Sequence, residues 1–337
     1  MPESKNRRIA VLGGGSWGTA LAIQVARAGH NVTLWDINPE HIRAMQQSHS
    51  NEQYLPGIAL PVNLQLSDQL EQTLKQADTI LLAIPSHAVR GFLQQNSSWI
   101  HREQHFVWAT KGLEEGSAKL VHQVVAEELP ECKNTAVVSG PTFAGEVAKN
   151  LPTAVTVAAS SHAIAKDVAS FLHYGNFRVY TSEDMLGVEL GGSLKNVLAI
   201  AAGIADGLGF GANTRAALIT RGLNEIMRLG LAMGAQSETF MGLAGLGDLV
   251  LTCTDNQSRN RRMGLALADG STIEQAREQI GQAVEGVKTA REAWQLGQQY
   301  HVEMPIIEQT YLVLYEGKSP RDAVHDLLGR EATSELD

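Results

Sequence analysis

Cysteine and long apolar runs are scarce in this chain. Its 337 residues include two cysteines, Cys132 and Cys253, which excludes a disulfide-stabilised scaffold and favours a reducing compartment. The longest apolar run, residues 197–205, is too short to cross a bilayer, which takes roughly 20 residues. No signal-like apolar stretch precedes the first strand pattern in residues 1–8. We therefore expect a cytoplasmic protein without membrane insertion.

Positive charge is also in short supply. Lysine and arginine number 27 against 36 acidic residues, a net charge of −9. This balance excludes bulk attraction to nucleic acid or anionic membranes, so a local cluster of cations must hold any anionic ligand. The sequence contains no Cys/His spacing typical of a zinc site, and we expect no metal.

The chain is divided by pattern into two parts. Apolar runs typical of strands, mostly separated by helical stretches such as residues 17–28, predict a mostly parallel sheet with helices on both faces. These runs lie at residues 8–12, 31–35, 79–84, 106–109, 136–138, 154–158 and 177–180. Helical patterns follow at residues 183–205, 213–233, 262–268, 272–280, 287–300 and 305–315. We predict an α/β domain over residues 1–182 and an all-helical domain over residues 183–337.

A glycine motif follows the first strand pattern. Residues 13–18, GGGSWG, fit G-x-G-x-x-G and open a helix, the context that predicts a Rossmann-like, doubly wound dinucleotide-binding domain. Gly13 permits the tight turn, Gly15 lets the backbone approach a pyrophosphate, and Gly18 lets helix and strand pack closely. The helix N-terminus would face the phosphates. The alternative is a glycine-rich turn that binds nothing.

Asp36 ends the second strand pattern, 18 residues after Gly18. A carboxylate there hydrogen-bonds a ribose 2′-hydroxyl and repels a 2′-phosphate, which favours NAD over NADP. Asp36 could instead cap the helix that follows Pro39, and Arg43 is placed to accept a 2′-phosphate.

Other loops follow the carboxyl ends of predicted strands, where doubly wound sheets bind ligands. Residues 85–87, 110–112 and 139–142 are small, polar or cationic. With residues 13–18 they are predicted to line one crevice, although each taken singly could be a plain turn.

Lys195 is the only cation in the apolar stretch 186–205. Partial desolvation there would lower its pKa towards neutrality, which suits a general acid for carbonyl reduction. The alternative is a lysine that extends from the helix edge into solvent.

Three polar residues are expected to surround Lys195 in the folded protein. Asp248 lies in a glycine-rich apolar stretch, where a carboxylate is costly unless paired, and Lys195 is the expected partner. Thr252 falls on the same helix face as Asp248. Asn196 would orient a substrate oxygen or satisfy a buried backbone group. Cys253 has no base near it in sequence and is expected to pack in the core.

Residues 255–262 form the densest cationic cluster. Ser258 is placed to cap the next helix, with Arg259 and Asn260 in its first turn, an arrangement suited to phosphate. A solvated basic turn is the alternative. A nucleic-acid patch is disfavoured because no aromatic residues interleave.

Six motifs together resemble one family over nearly the whole chain, the bacterial-type NAD(P)-dependent glycerol-3-phosphate dehydrogenases. They are GGGSWG at 13–18, ATKGLE at 109–114, SGPTFA at 139–144, GGSLKN at 191–196, GLGDL at 245–249 and SRN at 258–260. The resemblance implies reversible hydride transfer between NAD(P)H and dihydroxyacetone phosphate. The product would be sn-glycerol 3-phosphate for glycerophospholipid synthesis, and the protein would be a homodimer.

The resemblance also implies residue roles. Lys195 would be the acid/base at the substrate C2 oxygen, within a polar network of Asp248, Thr252 and Asn196. Lys111 would touch both substrate and cofactor. The phosphate would meet Ser258, Arg259 and Asn260, with Gly140 and Thr142 on the other wall. The dinucleotide would contact Ser16, Trp17, Ala144, Arg259 and Glu285.

Two rival functions share part of this pattern. A β-hydroxyacid dehydrogenase also pairs a Rossmann domain with a helical domain bearing a lysine. A non-catalytic nicotinamide-sensing protein would bind the cofactor without turnover, and it would need no Lys195–Asp248 pair.

Overall fold

The computed structural model describes residues 6–331. Residues 1–5 lie outside the described residues. The expectation that the chain has no targeting sequence rests partly on these residues. Residues 332–337 also lie outside.

Strands and helices mostly alternate up to residue 182, with three short strands in succession within residues 50–67. In chain order they are β1 (Arg8–Leu12), α1 (Ser16–Arg27), β2 (Asn31–Trp35), α2 (Pro39–Ser48), β3 (Ser50–Asn51), β4 (Leu55–Ala59), β5 (Leu64–Ser67), α3 (Leu70–Gln76), β6 (Thr79–Leu82), α4 (Val89–Asn96), β7 (His105–Trp108), α5 (Val121–Glu128), β8 (Thr135–Ser139), α6 (Ala144–Ala148), β9 (Thr153–Ala159), α7 (His162–Leu172) and β10 (Phe177–Ser182). Every strand predicted from an apolar run is present.

Eight strands form one sheet in the order β10-β9-β8-β7-β6-β1-β2-β5. Neighbouring strands are parallel except for the antiparallel pair β8 and β9. Central β1 pairs Ile9 with Val32 on one side and with Thr79 on the other. This confirms the mostly parallel, doubly wound fold.

The central strands are buried on both faces, which explains why β1, β6 and β7 are almost entirely apolar. Because side chains alternate along a strand, Ile9 and Val11 join the core beneath α1 and α7. Ala10 and Leu12 join the opposite core, beneath α3, α4 and α5.

Three strands were not predicted. β5 reads LQLS, a short and half-polar run at the edge of the sheet, and β3 and β4 form a separate two-stranded hairpin. Strands this short and mixed in polarity carry too weak an apolar pattern to be distinguished from loop.

Helices make up the rest of the described chain, and no strand occurs between residues 183 and 331. They are α8 (Met185–Gly207), α9 (Ala212–Met233), α10 (Ser237–Phe240), α11 (Asp248–Thr254), α12 (Arg259–Ala268), α13 (Ile273–Ile280), α14 (Glu285–Gln299), α15 (Pro305–Tyr315) and α16 (Pro320–Leu328), with a π-helical turn at Leu243–Gly247. The predicted helical region is confirmed, while the division of the chain at residue 182 stays a prediction.

The central element of this region is α8. By length and composition it is one helix that could span a bilayer, but 94 % of its most apolar window is buried inside the protein. Helices α9, α11, α12, α14 and α15 pack around it. It is therefore the core helix on which the neighbouring site elements are assembled.

Candidate active site

A groove of about 1600 Å³ lies at the carboxyl ends of the central strands and is lined by both the sheet region and the helical region. Most residues singled out from the sequence line it. They are Gly13, Gly15, Ser16, Trp17, Gly18, Asp36, Lys111, Thr142, Ala144, Lys195, Asn196, Thr252, Ser258, Arg259, Asn260 and Glu285. Gly140 and Asp248 lie behind this surface and touch it through Lys111 and Lys195.

The glycine loop has the shape that the motif predicts. Gly13 adopts a φ of +112°, and a Cβ on Gly18 would lie 1.9 Å from the carbonyl oxygen of Gly13. A Cβ on Gly15 would meet nothing within 4 Å, so the backbone there is open to the groove. Helix α1 begins at Ser16, so its unpaired N–H groups face the same space. The loop therefore fits a dinucleotide pyrophosphate.

Asn51, which the sequence did not single out, holds this loop from behind. Its side-chain Nδ2 donates to the carbonyl oxygen of Gly14 at 2.7 Å and to Thr19 Oγ1 at 2.8 Å. Asn51 is buried. It lies in the β3–β4 hairpin, whose weak pattern gave no signal of its role.

Asp36 stands at the end of β2 beside the glycine loop. Its Oδ2 accepts from the backbone N–H of Gly14 at 2.7 Å, and its Oδ1 accepts from that of Asn38 at 2.9 Å. The alternative that Asp36 caps α2 is wrong, since the side chain of Asn38 caps that helix. Arg43 donates to the carbonyl oxygen of Pro39 at 3.2 Å and is not among the groove-lining residues.

Lys195 is buried on α8, with its ammonium at the groove wall. Its Nζ donates to Asp248 Oδ1 and, at 3.0 Å, to Thr252 Oγ1. Burial lowers the pKa of Lys195 to about 8, although the charge of Asp248 acts in the opposite direction. An amine with this pKa exchanges a proton readily near neutral pH.

Asp248 joins two lysines. Its side chain is fully buried, and its Oδ2 accepts from Lys111 Nζ at 2.7 Å while Oδ1 accepts from Lys195. Lys111 also donates to the carbonyl oxygen of Gly140 at 3.1 Å. Thr252 follows one turn later on α11 and donates back to the Asp248 carbonyl at 2.6 Å. The carboxylate therefore orients both ammonium groups rather than facing the groove itself.

The turn before α12 brings another cation to the groove. The side chain of Ser258 caps α12 by accepting from the backbone N–H of Arg261 at 3.2 Å. Arg259, partly exposed in the first turn, lines the groove and donates to Gln282 at 3.5 Å. The geometry is that of a phosphate receptor, a guanidinium at a helix N-terminus.

Asn196 and Asn260 are linked to each other. Asn260 Nδ2 donates to Asn196 Oδ1 at 2.9 Å, and Asn260 Oδ1 accepts from the backbone N–H of Gly286 at 2.9 Å. The pair joins α8, α12 and the start of α14. The Oδ1 atom of Asn196 therefore accepts from a side chain and not from a buried backbone group.

Glu285 begins α14 and faces the groove. Burial raises the pKa of its carboxyl group, while the charges of Arg259, Lys111 and Lys195 act in the opposite direction. Cys253 is buried on α11, and burial raises the pKa of its thiol to about 12. This thiol packs in the core, as expected. Within residues 6–331, no group of three His, Cys, Asp or Glu side chains is arranged to hold a metal ion.

A buried carboxylate connects α8 to the sheet. Glu189 accepts from Trp108 Nε1 at 2.7 Å and from the backbone N–H of His122 at 3.0 Å, and it also contacts the His122 ring. Burial acts to lower the pKa of His122, but Glu189 outweighs it and the pKa is raised. The sequence signal was a lone carboxylate two turns before Lys195 in an apolar helix.

Two family models match the chain. Residues 8–165 match the NAD-dependent glycerol-3-phosphate dehydrogenase N-terminus, and residues 184–325 match the C-terminus of the same family. A glycerol-3-phosphate dehydrogenase of Thioalkalivibrio sulfidiphilus is 54 % identical over 97 % of this chain and 98 % of that protein. One of Bartonella henselae is 51 % identical over 97 % of each.

Solved structures were also compared with the chain, and they support the same family. The glycerol-3-phosphate dehydrogenase of Coxiella burnetii is 47 % identical, with a TM-score of 0.92 over 96 % of this chain and 99 % of that chain. D-mandelate dehydrogenase shares the fold alone, at 14 % identity and a TM-score of 0.61 over 94 % of this chain and 99 % of that one. The chain therefore belongs to the family of NAD-dependent glycerol-3-phosphate dehydrogenases.

Proposed function

We propose that this protein is an NAD(P)-dependent sn-glycerol-3-phosphate dehydrogenase that reduces dihydroxyacetone phosphate reversibly. The observation that carries the proposal is the placement of Lys195, held by a buried Asp248, in one groove with the glycine loop and Arg259. Family membership supports the same reaction.

The cofactor would lie along the sheet side of the groove. Gly13, Gly15 and Gly18 shape its pyrophosphate site, and Ser16 and Trp17 add the first turn of α1. Ala144, Lys111, Arg259 and Glu285 line the remaining wall. A reduced nicotinamide bound there would supply a hydride to the ketone carbon of the substrate.

Lys195 would act on the substrate C2 oxygen. Its ammonium would donate a proton as that oxygen gains negative charge, and the neutral amine would take the proton back in the reverse direction. Asp248 and Thr252 hold the Nζ atom in place. The second ammonium, on Lys111, would stabilise the developing charge from the other side of Asp248.

The substrate phosphate would meet Arg259 at the N-terminus of α12, with Ser258 and Asn260 beside it and Gly140 and Thr142 on the facing wall. Cations predominate along the groove although the chain is acidic. They are Lys111, Lys149, Lys195, Arg259, Arg262 and Arg277. This concentration of charge supports a dianionic substrate.

Asp36 supports a preference for NAD. Its carboxylate is fixed beside the glycine loop by two backbone N–H groups, where it would accept from a ribose hydroxyl and repel a 2′-phosphate.

We further propose a cytoplasmic homodimer built from the domains 1–182 and 183–337, supplying glycerophospholipid synthesis. Both cysteines are free thiols. Leu231 in α9, Met241 just after α10 and Val250 in α11 are exposed, and α9 packs against both α10 and α11. Exposed apolar patches often mark an interface. Light scattering at micromolar concentration tests this: a dimer mass supports it, and a monomer mass contradicts it.

A substrate panel tests the reaction. Purified protein with NADH, and separately NADPH, receives dihydroxyacetone phosphate, dihydroxyacetone or a three-carbon 3-oxo acid. We expect rapid cofactor oxidation with the phosphorylated ketone. A preference for the oxo acid would favour a β-hydroxyacid dehydrogenase, and cofactor binding without turnover on any substrate would favour a sensor.

A further inference from the structure

Three arginines stand close together at the start of α12, but they face different surroundings. Arg259 and Arg262 line the groove. Arg261 is buried, with 8 % of its surface exposed, and it faces the interior. A basic cluster that appears uniform in sequence is therefore divided by the structure.

Every nitrogen of the Arg261 guanidinium has a partner. Nε donates to the carbonyl oxygen of Cys253 at 3.1 Å, Nη1 contacts Asn256 Oδ1, and Nη2 donates to Asp206 Oδ2 at 2.5 Å. These partners lie at the C-terminal part of α11, in the turn between α11 and α12, and near the end of α8. The side chain thus connects all three elements through three of its five N–H donors.

The backbone at this point is equally constrained. A Cβ on Gly203 of α8 would lie 2.1 Å from the carbonyl oxygen of Arg261. The backbones of helices α8 and α12 are therefore in direct contact at Gly203 and Arg261. Since Arg259 and Asn260 are the residues immediately before it, their position depends on this contact.

We infer that Arg261 is a positioning residue for the substrate phosphate, holding the 255–260 turn so that Arg259 and Asn260 meet the phosphate without rearrangement. This rests on the proposed function. Its partner Asp206 also accepts from Arg215 Nη1 at 2.9 Å, so the carboxylate stays paired when Arg261 is changed.

The test compares two substrates that differ only in the phosphate. In Arg261→Met we expect KM for dihydroxyacetone phosphate to rise roughly 10- to 100-fold, because a displacement of about 1 Å at a binding group costs that much. The kcat/KM for dihydroxyacetone should stay within about twofold, since that ketone does not use the turn. Arg261→Lys should show a smaller rise in KM for dihydroxyacetone phosphate, because a lysine can still form an ion pair with Asp206.

Two further variants keep the test decisive if Arg261→Met does not fold. Asn256→Ala removes one exposed contact of Arg261 and should raise KM for the phosphorylated substrate in the same direction. Arg215→Met removes the other partner of Asp206 and does not touch the turn. It should leave KM and kcat/KM for both ketones unchanged.

The outcomes are separable from those of the proposed function. If the wild type does not reduce dihydroxyacetone phosphate, the proposed function fails. If the wild type is active but Arg261→Met and Asn256→Ala leave KM for the phosphorylated ketone unchanged, or lower kcat/KM equally for both ketones, the positioning role is overturned.

Discussion

At the scale of single residues, the site is organised by one buried carboxylate. Asp248 is fully buried and accepts from both Lys195 and Lys111. A carboxylate in such a place is tolerated because both oxygens have charged donors. The consequence is that two ammonium groups are fixed a few ångströms apart at the groove wall, where a ketone oxygen gains negative charge during reduction.

The pKa of Lys195 sets a pH dependence. Burial lowers this pKa to about 8, so the ammonium that donates the proton is present below that pH and is lost above it. We expect kcat/KM for ketone reduction to be level below about pH 8 and to fall as pH rises through it, while the oxidation direction rises over the same range. Initial rates from pH 6 to 10 measure both. A reduction rate that climbs above this pKa would contradict the role.

Asp36 gives a second prediction at this scale. In Asp36→Asn, the amide oxygen can still accept from the Gly14 backbone, but the negative charge is gone. The ratio of kcat/KM for NADH to that for NADPH should fall at least about tenfold, equivalent to one hydrogen bond to a charged group. Glu40→Gln, an exposed carboxylate on α2, is the matched control. An unchanged ratio in Asp36→Asn would show that Asp36 does not select the cofactor.

Some residue contacts could be predicted from the sequence and others could not. Lys195 and Asp248 were paired because each is a charged residue in an apolar stretch, and burial leaves few ways to satisfy both. The contact of Lys111 with Asp248 joins positions 137 apart in the chain. That contact depends on how a loop after β7 approaches α11, which no local pattern encodes.

At the scale of elements, close helix packing brings the site together. Helix α8 crosses α12 so tightly that a Cβ on Gly264 would lie 2.0 Å from the carbonyl oxygen of Ile200. The Lys111 loop is tied to α8 as well, since the backbone N–H of Gly112 donates to Ser193 Oγ at 2.9 Å. These contacts place Lys195, Lys111 and Arg259 around one space.

Alanine substitutions at two separate glycines test this packing. We expect Gly264→Ala to lower the free energy of unfolding by about 1–3 kcal/mol or more, because the added methyl meets backbone atoms that cannot move aside. Gly91→Ala, in α4, adds the same methyl into open space and should be neutral or stabilising by up to about 1 kcal/mol. Urea unfolding of both variants provides the comparison. Equal effects would mean that the α8–α12 contact is looser than described.

The elements that the sequence predicted are those with strong local signals. Apolar runs predicted seven of the eight strands of the main sheet, and capping by Ser258 was visible in the sequence before α12. The edge strand β5, the β3–β4 hairpin and the short α10 were not predicted, because they are short and mixed in polarity. Asn51, which holds the glycine loop, lies in one of these weak elements.

At the scale of the whole molecule, function depends on the meeting of two parts of the chain. The sheet region supplies the glycine loop, Asp36 and Lys111, and the helical region supplies Lys195, Asp248 and Arg259. Glu189 joins the two parts through Trp108 and His122. The sequence predicted both parts and the residues on each, but not the contacts that fix one against the other, because those contacts are distant in the chain.

The most direct test of the account is the reaction of Lys195→Met with NADH and dihydroxyacetone phosphate. Methionine retains most of the side-chain volume, and Asp248 remains paired with Lys111. We predict NADH binding like that of the wild type, measured by fluorescence, with kcat lowered by about 10²- to 10⁴-fold through loss of the proton donor. A variant that binds NADH and turns over at the wild-type rate would contradict it.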